Sequence, residues 1–251
     1  MKRKKTFKKR IFNALKTVGL WGIIKLIFVN IKLYYLRIRK TPSYSQLFED
    51  YFLDSLMKHS RNGFYVDIGA NDPFNLNNTA FFYQKGWHGI NIEPDMQKFN
   101  LLKEKRPDDI NINMGVGKNA GILKFYRFKD SSLCTFSEDE AKKRVQQGVE
   151  LIGETEVFVD TLANILAKNI PSEKRIDFIS IDVEGLNRDV LYSNDWKKYR
   201  PRYVCIEVAE YCKDVLTKDM EIVKFLEKQK YKEVFFNGIN SIFKDIKKNE
   251  K

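Results

Sequence analysis

Short apolar runs that end in an acid recur along this chain with helical segments between them, and that alternation restricts the fold more than any other feature. Phe64-Tyr65-Val66-Asp67-Ile68-Gly69, Gly89-Ile90-Asn91-Ile92-Glu93, residues 176–181 running into Asp182-Val183-Glu184-Gly185, and residues 203–208 around Glu207 each read as a strand. A further strand is expected over 110–116, with 123–128 as its hairpin partner and a short one at 157–159. Apolar residues at helical spacing cover 46–56, 76–85, the stretch up to about Lys105, 161–168 and 219–230. Residues 231–236 and 241–244 read as closing strands around Asn237-Gly238, and 137–149 as a polar helix that covers the site. Strands alternating with helices give a doubly wound α/β fold with a mostly parallel sheet covered on both faces. In such sheets ligands bind beyond the carboxyl ends of the strands, which is where Asp67, Glu93, Asp182 and Glu207 all fall.

A chain of 251 residues holds one α/β domain with an appendage. The net charge of +12 suggests a nucleic-acid partner until it is mapped. Residues 1–40 carry 13 Lys or Arg and no acid, leaving 32 basic against 33 acidic groups in the rest. A neutral body with one basic arm argues against nucleic acid, which calls for a basic face on the folded domain. Thr41-Pro42-Ser43 breaks the pattern, dividing an arm over 1–42 from a body over 43–251. Lys16, Lys25 and Lys32 leave no uncharged run in the arm longer than eight residues, against about 20 apolar residues for a spanning helix. Lys25, Lys32 and Arg39 make one cationic stripe on a helix whose remaining surface carries Trp21, Ile24, Ile27, Phe28, Ile31 and Tyr35. That pattern fits a helix lying on an anionic membrane surface; the rival reading is a helix docked on protein. A cytoplasmic setting, peripheral to the inner face of the membrane, follows. Cys134, Cys205 and Cys212 form no disulfide framework, and no zinc site or histidine-rich metal centre is expected.

The turn after the first strand decides among ligands. A dinucleotide site wants G-x-G-x-x-G against a pyrophosphate. Here the run is Gly69-Ala70-Asn71-Asp72-Pro73, which lacks the later glycines and carries an acid that would repel a diphosphate. S-adenosylmethionine (AdoMet) has no phosphate, and its methionine end bears an ammonium and a sulfonium that Asp67 and Asp72 would favour. Gly69 permits close backbone approach, with amides facing the ligand, and Glu93 at the next strand end suits the ribose hydroxyls. An NAD-dependent sugar enzyme is the rival from the same fold.

These segments resemble the FkbM family of AdoMet-dependent methyltransferases over about residues 45–210. The likeness is carried by Ser45-Gln46 with Glu49-Asp50, by 64–73, by Asn78-Thr79, by Gly86-Trp87-His88-Gly89 through Glu93-Pro94, by Asp160-Thr161-Leu162, by Ile176-Asp177-Phe178 through Gly185, and by Ile206-Glu207. The resemblance implies a class I, Rossmann-like methyltransferase fold with AdoMet as cofactor, and O-methylation of a small-molecule or glycan acceptor. The cofactor residues are then Asp67, Gly69, Ala70, Asn71, Thr79, Glu93, Pro94 and Asp182. Asn187 stands where the family usually has a second acid after its D-x-E-G segment.

A sugar hydroxyl is a poor nucleophile until its proton is removed, so a general base within reach is expected. Asp182, Glu184 and Glu207 cluster at adjacent strand ends and are the candidates. Arg188, four residues after Glu184, offers that acid a structural ion pair instead. Phe81, Phe82 and Tyr83 are expected in the core. A non-catalytic membrane-associated module that keeps the AdoMet pocket is the rival from outside enzymology.

Overall fold

The structure, a computed structural model, describes residues 28–29, 31–33, 35–36, 42–172, 174–212 and 215–247. Residues 43–206 form one compact unit, and the described residues before Ser43 together with those from Glu207 onward belong to a second.

The first unit is built on five parallel strands in the order β8-β7-β1-β2-β3: β1 (Phe64–Ile68), β2 (His88–Ile92), β3 (Ile110–Ile112), β7 (Phe178–Ile181) and β8 (Tyr203–Glu207). All residues of β1 and β7 are buried, as expected of strands covered on both faces. The register aligns one isoleucine from each strand, so that Ile206, Ile181, Ile68, Ile92 and Ile112 stand side by side. Asp182, Gly69 and Glu93 each come one residue later. The strand ends are therefore flush, and the candidate groups leave the sheet at one level.

Helices α1 (Glu49–Leu56), α2 (Ala80–Gln84), α3 (Met96–Lys105), α4 (Glu138–Gln146), α5 (Leu162–Asn169) and α6 (Asn187–Tyr192) complete this unit. Side-chain caps start three of them: Asp95 accepts from the Gln97 and Lys98 amides, Ser137 from Glu140, and Thr161 from Asn164. The helix expected over 76–85 shortens to α2 because Asn77 Oδ1 accepts from the Thr79 and Ala80 amides, holding the preceding residues in a turn. Phe82 packs into the core with ring centroids 4.8 Å from Phe178 and 4.9 Å from Trp87. Truncating a buried aromatic of this kind costs about 3–5 kcal/mol.

The strand expected over 110–116 divides in two. Asn113 Nδ2 donates to the Glu93 and Pro94 carbonyls, at 2.9 and 3.0 Å, and past this bend β4 (Gly115–Val116) joins a separate sheet. That sheet has the order β4-β6-β5, with β5 (Gly121–Phe128) antiparallel to β6 (Leu151–Asp160). The sequence shows only the end of β6, because Glu154, Thr155 and Glu156 are all exposed and leave no alternation to read.

In the second unit, β9 (Ala209–Cys212) and β10 (Val215–Lys218) form an antiparallel pair not anticipated in the sequence. Helix α7 (Met220–Lys228), capped by Asp219, leads to β11 (Tyr231–Phe236) and β12 (Asn240–Asp245). This last hairpin turns as expected, with Asn237 Oδ1 accepting from the Ile239 and Asn240 amides. The described arm residues from 28 to 36 are helical; Leu33 and Leu36 are buried, whereas Phe28, Ile31 and Tyr35 are exposed. The rest of the expected arm lies outside the described residues. Among the described residues, no helix is long and apolar enough to cross a membrane.

Candidate active site

Asp67 is the fourth residue of β1 and is 4% exposed. Its Oδ2 accepts from Thr79 Oγ1 at 2.7 Å and from Asn77 Nδ2 at 3.1 Å, while Oδ1 receives no hydrogen bond from the described residues. Burial raises the pKa of this carboxyl, and the Arg106 guanidinium opposes the rise. Thr79 stands behind Asp67: it is fully buried, and its hydroxyl also accepts from Arg106 Nη2 at 2.9 Å. Thr79 thus links Asp67 to the Arg106 guanidinium.

Arg106 and Asp109, both fully buried at their side chains, pair at 2.9 Å. Arg106 also donates to Tyr65 Oη at 2.7 Å and to Asn77 Oδ1 at 3.3 Å. Asp109 accepts from Tyr65 Oη, the Gly89 amide and Asn91 Nδ2. A buried ion pair is weak evidence for stability, but this one ties β1, β2 and the turn before α2 into a single hydrogen-bonded unit beneath Asp67. Sequence reasoning missed it, since one arginine after Lys103-Glu104-Lys105 carries no local signal.

The turn after β1 departs from expectation in its chemistry. The amides of Gly69 and Ala70 both donate to the Ile92 carbonyl, at 3.0 and 3.3 Å, so neither faces outward. Glycine is required at position 69 for two other reasons. Its φ of +80° is left-handed, and a Cβ there would collide with the Asp182 carbonyl oxygen. Asp72 caps its own turn by accepting from the Phe74 and Asn75 amides, and it pairs with Lys98 at 3.5 Å.

Asn71, at φ +48°, donates its amide to Glu93 Oε2 at 2.7 Å; Glu93 Oε1 accepts from the Asp95 amide at 2.8 Å. Glu93 is 5% exposed, and burial pushes its pKa up to about 7 against those two backbone bonds. Pro94 follows, with its carbonyl held by Asn113. The paired Glu49 and Asp50 are also fully buried. Asp50 accepts from Ser43 Oγ, Ser45 Oγ and the Tyr44 amide, which fixes the loop whose Tyr44 carbonyl receives the Asn77 amide.

Asp182, just past β7, is exposed; its amide donates to the Ile68 carbonyl at 3.1 Å. Glu184 is half-buried at φ +49°, and its carboxylate meets Arg144 Nη2 at 2.5 Å. Burial raises its pKa, and Arg144 opposes this. Glu184 precedes α6, so helical spacing to Arg188 does not apply. Asn187 Oδ1 accepts from the Val183 amide at 3.0 Å, replacing the family's acid with a neutral brace for the loop. Glu207 ends β8 and is half-buried.

A glycine bend thus lies between a buried acid, one of whose oxygens receives no hydrogen bond from the described residues, and a second strand-end acid on a mainly parallel sheet. The chain belongs to the methyltransferase FkbM domain family, whose model matches residues 67–233. No curated protein matches the chain. Among solved structures it is similar to an FkbM methyltransferase from Methylobacillus flagellatus KT, at 13% identity over 80% of this chain and 48% of that one, with a TM-score of 0.49. The chain therefore spans about half the length of that relative. It is also similar to a TehB-like SAM-dependent methyltransferase from Corynebacterium glutamicum ATCC 13032, at 10% identity over 88% and 97% of the two chains and a TM-score of 0.42. A third is the 1,6-didemethyltoxoflavin-N1-methyltransferase of Burkholderia thailandensis, solved with 1,6-didemethyltoxoflavin and S-adenosylhomocysteine, at 9% identity over 91% and 90% and a TM-score of 0.44.

Proposed function

We propose that this protein transfers the methyl group of AdoMet to a hydroxyl of a sugar or glycan, either a surface polysaccharide or a lipid-linked saccharide. The observation that carries the reading is Asp67: a buried carboxylate with one oxygen held by Thr79 and Asn77 and the other receiving no hydrogen bond from the described residues. Such an oxygen suits the ammonium of the methionine end, and Glu93 one strand away suits the ribose hydroxyls. The turn Gly69-Ala70-Asn71-Asp72-Pro73 lacks the later glycines of a dinucleotide site and carries an acid, which weighs against an NAD-dependent enzyme.

AdoMet, when bound, supplies a methyl group already activated by sulfonium. The chain then has two tasks, to orient the acceptor oxygen and to take its proton as the oxygen–carbon bond forms. Asp182 suits the second, since it is exposed and follows the isoleucine row by one residue. An acid in this position favours a hydroxyl acceptor, whose proton must leave during transfer.

The exposed Phe28, Ile31 and Tyr35 recur at helical spacing beside exposed Lys32, which supports a peripheral membrane role for the arm and an acceptor presented at a lipid surface.

Comparative mass spectrometry of surface glycans tests the reading. A strain lacking the gene should lose a methyl ether that the wild-type gene restores and an Asp182→Asn gene does not. Unchanged glycans, with purified protein that binds AdoMet but turns over no glycan, would overturn it in favour of a non-catalytic module.

A further inference from the structure

The stretch between β5 and β6 crosses the carboxyl ends of β1 and β7 and is fastened on both sides. On the β1 side, Ser131 Oγ donates to Asn71 Oδ1 at 3.0 Å, the same Asn71 whose amide holds Glu93. On the β7 side, Thr135 Oγ1 donates to the Glu184 carbonyl at 2.6 Å, and Arg144, in the last turn of α4, meets the Glu184 carboxylate at 2.5 Å. Arg144 also donates to the Leu133 carbonyl, closing α4 back on the turn that carries Ser131. A Cβ added at Gly185 would lie 3.0 Å from Glu140 Cγ, so the loop fits closely beneath the helix. The stretch has its own footing on β5, where Tyr126 and Phe128 pack with Ala141, Leu133 and Val149.

We propose that Arg144 is a positioning residue of the methyl-transfer site: through Glu184 it clamps the loop after β7, and with it the stretch 131–147, across the cofactor turn. The inference deepens the functional reading above and rests on its placement of the site at these strand ends. It also reassigns Glu184, one of three candidate bases, to holding the loop. A charge-assisted pair of this length is stronger than a neutral hydrogen bond, and Glu184 keeps its left-handed backbone only while its surroundings enforce it. The clamp has a charged contact from Arg144 and a hydroxyl contact from Thr135 on the β7 side, both to Glu184, and one hydroxyl contact on the β1 side. Opening at Glu184 would therefore free the cover while α4 stays seated on β5.

The test uses the full chain with S-adenosylhomocysteine as probe. Arg144→Met and Glu184→Gln should each speed amide hydrogen exchange over 131–147 and probe dissociation by about tenfold. Arg144→Lys and the exchanged pair Arg144→Glu/Glu184→Arg should recover most of both. Unchanged exchange and dissociation in Glu184→Gln overturn the proposal, whether or not Arg144→Met folds. Faster exchange with unchanged dissociation also overturns it, by reducing the pair to a helix staple. A wild-type protein that fails to bind the probe defeats the functional reading instead, and exchange over 131–147 then decides alone whether Arg144 holds this loop.

Discussion

Asn71 donates its backbone amide to Glu93 Oε2 at 2.7 Å, joining the turn after β1 to the acid that ends β2. The contact orients Glu93 from one side while the Asp95 amide holds it from the other. Each carboxylate oxygen has a second lone pair for a ligand hydroxyl. Burial nevertheless pushes the pKa of Glu93 up to about 7, from an ordinary value of 4.5.

AdoMet affinity should accordingly depend on pH near neutrality. The fold favours protonated Glu93, so the stability this group contributes is fully present below pH 4.5 and is lost as pH rises through about 7. Ribose hydroxyls require the ionised form, so binding changes in the opposite sense. Affinity measured by calorimetry should fall about tenfold from pH 8 to pH 6, and Glu93→Gln should flatten that dependence. Glu93→Ala should cost about 1.5–3 kcal/mol of binding at pH 8. A wild-type affinity constant across this range would remove Glu93 from the cofactor site.

Gly69→Ala should be damaging although it adds one methyl group. The left-handed backbone and the collision with the Asp182 carbonyl act together. We expect a loss of about 2 kcal/mol or more in urea unfolding and no measurable AdoMet binding. Gly86→Ala shares the left-handed φ but meets no neighbouring atom, so it should bind AdoMet normally.

Arg106→Met should destabilise the fold by about 3–5 kcal/mol, because it leaves Asp109 charged and buried without its cation. Arg106→Met/Asp109→Asn should recover part of that loss in the same unfolding experiment. If Arg106→Met unfolds at the wild-type urea midpoint, the network beneath Asp67 is not what holds β1 to the turn before α2.

Deleting residues 1–40 should leave AdoMet affinity unchanged and abolish flotation with anionic vesicles at low salt. Flotation that survives the deletion would assign membrane contact to the body of the protein. Loss of flotation as salt is raised, in the full chain, would match attraction by the basic arm.

The sheet was legible because each central strand is a continuous apolar run closed by an acid, and that pattern placed Asp67, Glu93, Asp182 and Glu207 at one edge. Gly69 was legible as a special position, though for backbone approach to a ligand rather than for the Asp182 carbonyl that lies against it. Arg106, Asp109 and Arg144 were not legible. Arg106 and Asp109 pair over three residues past the end of α3, but their partners Tyr65, Asn77, Thr79 and Gly89, and the Glu184 partner of Arg144, lie 20 to 44 residues away. Local spacing records only neighbours along a helix or strand. The same limit misdirected Glu184 toward Arg188. Its partner proved to be Arg144, which precedes it by 40 positions along the chain. The length of β6 was hidden for a different reason, since a strand exposed on both faces has no periodicity.

The row of five isoleucines has a consequence for how such a protein can change its acceptor. Sliding any one strand by a single position would turn its terminal group to the opposite face of the sheet, so the floor tolerates no gradual adjustment. Variation must then enter from above, through the span between β5 and β6. Grafting that span from one relative to another should carry acceptor preference with it while leaving the methyl donor's seat intact.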